Sequence, residues 1–139
     1  MFIGRLINEV PLSLSALTSV LFCKKVKSLD VSDNALGEAG VKGITEFLSN
    51  ATSLAELRIS NCGLGPSGST LLFQTLKPLN LKLIKVGRNR LENKGAAEAA
   101  AYLTGKDCIC SLSLKQNGIR QEGMQVVLDA LVSHVNLIV

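Results

Sequence analysis

The sequence contains no tryptophan, and aromatic residues make up only 4% of it. No stacking platform for bases therefore accompanies the net charge of +4, whose one basic cluster is Lys24-Lys25-Val26-Lys27. Nucleic acid is not the expected partner. Histidine occurs once, as His134, and the four cysteines (Cys23, Cys62, Cys108 and Cys110) include one close pair, Cys108-x-Cys110. Zinc ligands come in paired Cys or His spacings that this pattern lacks, so no metal is expected. The thiols read instead as reduced and mostly buried. No apolar run approaches the roughly 18 to 20 residues of a membrane helix. The stretch Met1 to Val10 lacks the basic cluster and apolar core of a secretory signal. A cytoplasmic protein without membrane contact is the expectation. Asn50-Ala51-Thr52 spells a glycosylation sequon, which without secretion is read as chance.

What is present is length for one domain, 139 residues, with 47% hydrophobic and 19% charged residues, the composition of a folded chain. A repeat organises it. Leu29, Leu57, Ile84 and Leu112 are separated by 28, 27 and 28 residues, and Asn34, Cys62, Asn89 and Asn117 repeat those spacings. So do Leu36, Leu64, Leu91 and Ile119; Gly40, Gly68, Gly95 and Gly123; Ile44, Leu72, Ala99 and Val127; and Leu48, Leu76, Leu103 and Leu131. Columns that share one irregular spacing mark a solenoid. Each unit opens with alternation, as in Leu57-Arg58-Ile59, which puts one side of a short strand into the core. Apolar residues at i and i+4 follow, as in Ile44/Leu48 and Val127/Leu131, and predict helices over 40–49, 68–77, 95–104 and 123–133. A strand and a helix in every unit, with the strands parallel, predicts an α/β leucine-rich-repeat solenoid, a horseshoe of the ribonuclease-inhibitor type with strands inside and helices outside.

The predicted divisions are residues 1–25, the helical half of a truncated repeat, and 26–139, four full repeats (about 26–53, 54–80, 81–108 and 109–136) plus the start of a fifth at Leu137. Projection of the period back puts Leu12, Ala16, Leu17 and Val20 on the inner face of the first helix. Neither end carries a polar cap, so self-association or fraying is expected. Gly63-Leu64-Gly65-Pro66-Ser67-Gly68 matches a dinucleotide-binding pattern by letters. The repeat explains it better: Gly68 lies in the glycine column, Gly65 aligns with Gly37, and Pro66 removes an amide that a pyrophosphate would need. Asn117-Gly118 resembles a hairpin turn, but its column makes it a strand-to-helix loop.

The column of Asn34, Cys62, Asn89 and Asn117 is structural, its side chains turned inward to bond loop backbone. On either side of it lie Asp33 and Ala35, Asn61 and Gly63, Arg88 and Arg90, and Gln116 and Gly118. Amides, an acid, two arginines and glycines that allow close approach suit a binding edge; the competing reading is an ordinary solvated rim.

Ser32-Asp33-Asn34-Ala35-Leu36-Gly37, Asn61-Cys62-Gly63-Leu64-Gly65-Pro66, Gly87-Arg88-Asn89-Arg90-Leu91-Glu92-Asn93 and Gln116-Asn117-Gly118-Ile119 resemble successive repeats of the Ran GTPase-activating proteins. Phe2-Ile3-Gly4-Arg5 and Glu9-Val10-Pro11 resemble the loop and helix that precede them in that family, with Ile3 where threonine is usual. The resemblance runs the length of the chain and corresponds to roughly the first half of the family's solenoid, without its earliest and later repeats and its acidic tail. It implies a protein that is not itself an enzyme but stimulates GTP hydrolysis in trans by Ran in its GTP form, in nucleocytoplasmic transport, in the cytoplasm or at the nuclear envelope. Many activators insert an arginine finger; the resemblance implies that the GTPase's own glutamine is fixed in place instead. Asn61 then matches the asparagine placed beside that glutamine, and Arg5 a supporting arginine. Asp33, Arg88, Arg90 and Gln116 would hold the partner. No cofactor belongs to the chain, since GTP and magnesium are the partner's. The rival reading is a repeat scaffold that binds without changing hydrolysis.

Overall fold

A computed structural model describes residues 9–21, 25–132 and 134. Helix α1 (Glu9–Ser19) is followed by strand and helix in alternation: β1 (Ser28–Asp30), α2 (Gly37–Asn50), β2 (Glu56–Arg58), α3 (Gly65–Leu76), β3 (Leu83–Lys85), α4 (Glu92–Leu103), β4 (Ser111–Ser113) and α5 (Gln121–Leu131). The strands form one parallel sheet in chain order, with Leu29 opposite Leu57, Leu57 opposite Ile84 and Ile84 opposite Leu112. The leucine column of the sequence is thus the register of the sheet. The helices pack side by side in the same order, α1 to α5, so the chain is a leucine-rich-repeat solenoid of two layers.

Period-two alternation sends Leu57, Ile59, Ile84, Val86 and Leu112 into the space between the layers, where they are buried. From the helices Ile44, Leu48, Leu72, Phe73, Leu76 and Leu103 meet them. Each such side chain contributes on the order of 1.5–3 kcal/mol by leaving water. Tyr102 is also buried; its hydroxyl donates to the Leu79 carbonyl at 3.1 Å, and burial pushes its pKa up to about 12.

Three expectations are corrected. The helices begin at Gly37, Gly65, Glu92 and Gln121, up to a turn before the glycine column. Gly40, Gly68 and Gly95 donate the first helical bonds, to the carbonyls of Leu36, Leu64 and Leu91, so those leucines are the helix starts. The glycines serve close approach: a Cβ on Gly68 would stand 3.2 Å from the Glu38 Cα of the neighbouring helix. Second, Leu29 is only half-buried, because β1 is the edge strand of the described sheet. Third, the inner residue of α1 is Leu14, 1% exposed, and Leu21, just beyond the helix, is half-buried against the core. Leu12 (73% exposed), Leu17 (55%) and Val20 (70%) point outward, as does Ala16. At the other end Val126, Leu128 and Val132 are exposed and Leu131 is half-buried. Leu137, the expected start of a fifth strand, lies outside the described residues.

Candidate partner-binding rim

The loop after each strand turns on the asparagine column. Asn89 is buried; its Nδ2 donates to the carbonyls of Ile59 (2.6 Å), Val86 (3.1 Å) and Gly87 (3.2 Å), and its Oδ1 accepts the Cys62 amide at 2.8 Å. Asn117 repeats the pattern: Nδ2 donates to Val86 and Leu114, and Oδ1 accepts the Asn89 amide at 2.7 Å. Asn34, half-buried, donates to Val31 and Ser32. Asn89 and Asn117 thus each join two loops, satisfying backbone groups that the short strands leave over. In this column Cys62 offers a thiol to the Val31 carbonyl at 3.2 Å, and its burial raises its pKa to about 11. Cys108 is half-buried and Cys110 exposed, so the expectation of mostly buried thiols holds only for Cys62 among the three described.

An inward asparagine forces the residue before it outward. Asp33, Asn61, Arg88 and Gln116 all take left-handed backbone, with φ of 59°, 55°, 56° and 54°. Such φ costs a non-glycine residue on the order of 1 kcal/mol, least for Asn and Asp. It persists here because the amides of Asp33, Asn61 and Arg88 continue the sheet's ladder, each donating at 2.9 Å to the next loop (Ser60, Gly87 and Lys115). All four side chains are exposed, as are Ala35, Gly63, Arg90 and Gly118 on the outer side of the column. The ladder therefore displays a fixed row of side chains at about the 4.8 Å spacing of strands.

Two neighbours in that row are joined: Asn61 Nδ2 donates to Asp33 Oδ1 at 2.9 Å. Among the described residues Arg88, Arg90 and Gln116 form no ion pair and no side-chain hydrogen bond. Arg90 and Gln116 line a recess of about 550 Å³ with Lys94 and Arg120, which brings three cations to one carboxylate, Glu92. Lys94 and Arg120 were not expected from the sequence. The signal for Arg120 lay in its column, where Gly37, Gly65 and Glu92 have left-handed backbone and donate to the next loop, whereas Arg120 has φ −88° and its amide is taken by Asn93 Oδ1 at 2.9 Å. Arg5 lies outside the described residues. His134 follows α5, with Nε2 3.1 Å from the Leu103 carbonyl at the end of the helices away from the rim.

Parallel strands, a stacked helix layer and an asparagine ladder define the class, a leucine-rich-repeat protein. A Leucine Rich repeat family model matches residues 22–44. The Ribonuclease inhibitor of Sus scrofa is 36% identical over 89 residues, 62% of this chain and 20% of that protein. A narrower similarity spans nearly the whole sequence. The Ran GTPase-activating protein of Drosophila melanogaster is 38% identical over 145 residues, 94% of this chain and 24% of that protein. Ran GTPase-activating protein 1 of Xenopus laevis is 37% identical over 134 residues, 86% of this chain and 23% of that protein. By sequence the chain is similar to the leucine-rich repeats of the Ran GTPase-activating proteins, and it spans about a quarter of the length of these two relatives.

Proposed function

We propose that this chain is the part of a GTPase activator that docks on Ran in its GTP form through the rim that carries Asn61, Arg88, Arg90 and Gln116. It raises the hydrolysis rate by positioning Ran's own catalytic glutamine, and it inserts no arginine finger. The observation that carries this reading is Asn61: a carboxamide on strained left-handed backbone, held by its ladder amide and by Asp33, in a chain that is similar over 94% of its length to a protein named for activating Ran's GTPase.

Phosphoryl transfer to water asks for positioning and for stabilised charge. An amide can supply the first, because it donates and accepts at once. Arg88 and Arg90, with the recess of Lys94 and Arg120, add exposed positive charge beside it, which acts on encounter and register. Arg5 is assigned a supporting role by resemblance. GTP and magnesium belong to the partner, and the chain contributes no cofactor. The proposed setting is the cytoplasm, including the nuclear envelope, in nucleocytoplasmic transport; among the described residues no helix is long and apolar enough to cross a membrane.

A single-turnover assay with GTP-loaded Ran tests the reading. The hydrolysis rate should climb with protein concentration to a plateau far above Ran alone. Binding with no change in rate would leave only the scaffold.

A further inference from the structure

Asp33 was assigned to partner binding, yet its carboxylate already has a partner within the chain. Asn61 Nδ2 and Asp33 Oδ1 stand 2.9 Å apart, across loops 28 residues apart in sequence. We propose that Asp33 is a positioning residue that sets which end of the Asn61 carboxamide faces the GTPase. The proposal rests on the function assigned to Asn61 above.

The chemistry follows from what each group can do. A carboxylate only accepts hydrogen bonds, whereas a carboxamide has one accepting and one donating end that are nearly equal in shape. A free asparagine on a loop samples both orientations. Beside Asp33 only one is favourable: Nδ2 turns to the carboxylate, because Oδ1 there would set two acceptors against each other. Asn61 Oδ1 is then the end turned away from Asp33, and it has no hydrogen bond among the described residues.

An outward acceptor selects a donor on the partner. A glutamine side chain that gives its NH2 to Asn61 has its own carbonyl oxygen on the other end, free to accept from the attacking water. The opposite orientation would draw that carbonyl oxygen to Asn61 and away from the water. The left-handed backbone at both residues, φ 59° and 55°, with their amides tied to Ser60 and Gly87, holds the two side chains in register. Only orientation is chosen, so the effect belongs in the maximal rate rather than in docking.

Five proteins test this in the single-turnover assay with GTP-loaded Ran: wild type, Asp33→Gly, Asp33→Asn, Asn61→Ala and the Asp33→Gly/Asn61→Ala double variant. Glycine accepts the left-handed backbone without strain and removes only the carboxylate. Asparagine also tolerates it and keeps a hydrogen-bonding partner for Asn61, but one that donates as well as accepts and so no longer excludes either orientation. Asp33→Gly should lower the saturating rate by about fivefold to thirtyfold, with the half-saturating concentration nearly unchanged. Asp33→Asn should recover little of the loss, since it can pair with Asn61 in either orientation, and the double variant should be no slower than Asn61→Ala alone, since Asp33 acts through Asn61. Losses that add in the double variant, or that fall on the half-saturating concentration, would make Asp33 an independent docking residue and overturn the proposal. A normal rate for Asp33→Gly while Asn61→Ala is slow would overturn it too, leaving the role of Asn61 intact. A normal rate for Asn61→Ala would instead remove the mechanism on which it rests.

Discussion

Asn89 carries more of the rim's architecture than any charged residue there, because four of its hydrogen bonds are sealed from water. Asn89→Ala would leave the Cys62 amide and the Ile59 carbonyl without partners, while the carbonyls of Val86 and Gly87 keep their bonds from Asn117 and Asn61. We expect a loss on the order of 3 kcal/mol in urea unfolding, against a smaller one for Cys62→Ala, which frees a weak thiol donor. A cost for Asn89→Ala below that of Cys62→Ala would contradict the ladder. The thiols separate by chemistry as well. Exposed Cys110 should alkylate quickly at pH 8, whereas Cys62, buried with its pKa raised to about 11, should react only on unfolding. The same shift sets a pH dependence. The folded chain keeps the Cys62 proton up to about pH 11, while the unfolded thiol loses it near its ordinary value of 9.0. Stability from this source is therefore constant below pH 9 and falls as pH rises above it. Melting temperatures between pH 8 and 10.5 should drop more steeply in the wild type than in Cys62→Ala. The inward asparagines could be read from the sequence because identical letters recur at one spacing. The Asp33–Asn61 pair could not: a shared column shows that two residues are neighbours, but not that left-handed backbone brings their side chains together.

At the scale of elements, the strands were the most legible part, since alternation and a shared column determine register together. Leu112, buried on β4, should cost about 2 to 5 kcal/mol on replacement by alanine. Leu29→Ala on the half-buried edge should cost clearly less, and equal losses would argue that β1 is covered. The helix starts were misplaced by up to a turn because the glycine column marks where helices touch. Gly68→Ala should therefore destabilise by about 1–3 kcal/mol through pressure on Glu38, although alanine favours helices. For α1 the projected period failed outright: Leu14 faces the core, where Ala16 and Val20 were expected. Among the described elements α1 packs against α2, with no described strand beneath it.

Across the whole molecule, apolar side chains are exposed at both ends of the stack, Leu12, Leu17 and Val20 on α1 and Val126, Leu128 and Val132 at α5. The isolated chain should self-associate with rising concentration in light scattering, and Leu128→Glu should reduce it. A tight monomer at all concentrations would count against that. The rim lies along the loops, so its positive charge is open to a partner. Arg88→Ala or Arg90→Ala should slow association with Ran and flatten its salt dependence while leaving the saturating rate close to normal.

The most direct test of the central claim is the saturating single-turnover rate of GTP hydrolysis by Ran with Asn61→Ala. If Asn61 positions the glutamine, the loss must survive saturation, because the contact matters most in the transition state. We expect a fall of about tenfold to a thousandfold, the scale of one or two positioned hydrogen bonds. An Asn61→Ala protein that drives Ran at the full wild-type rate once saturating would contradict the claim and leave the rim a docking edge alone.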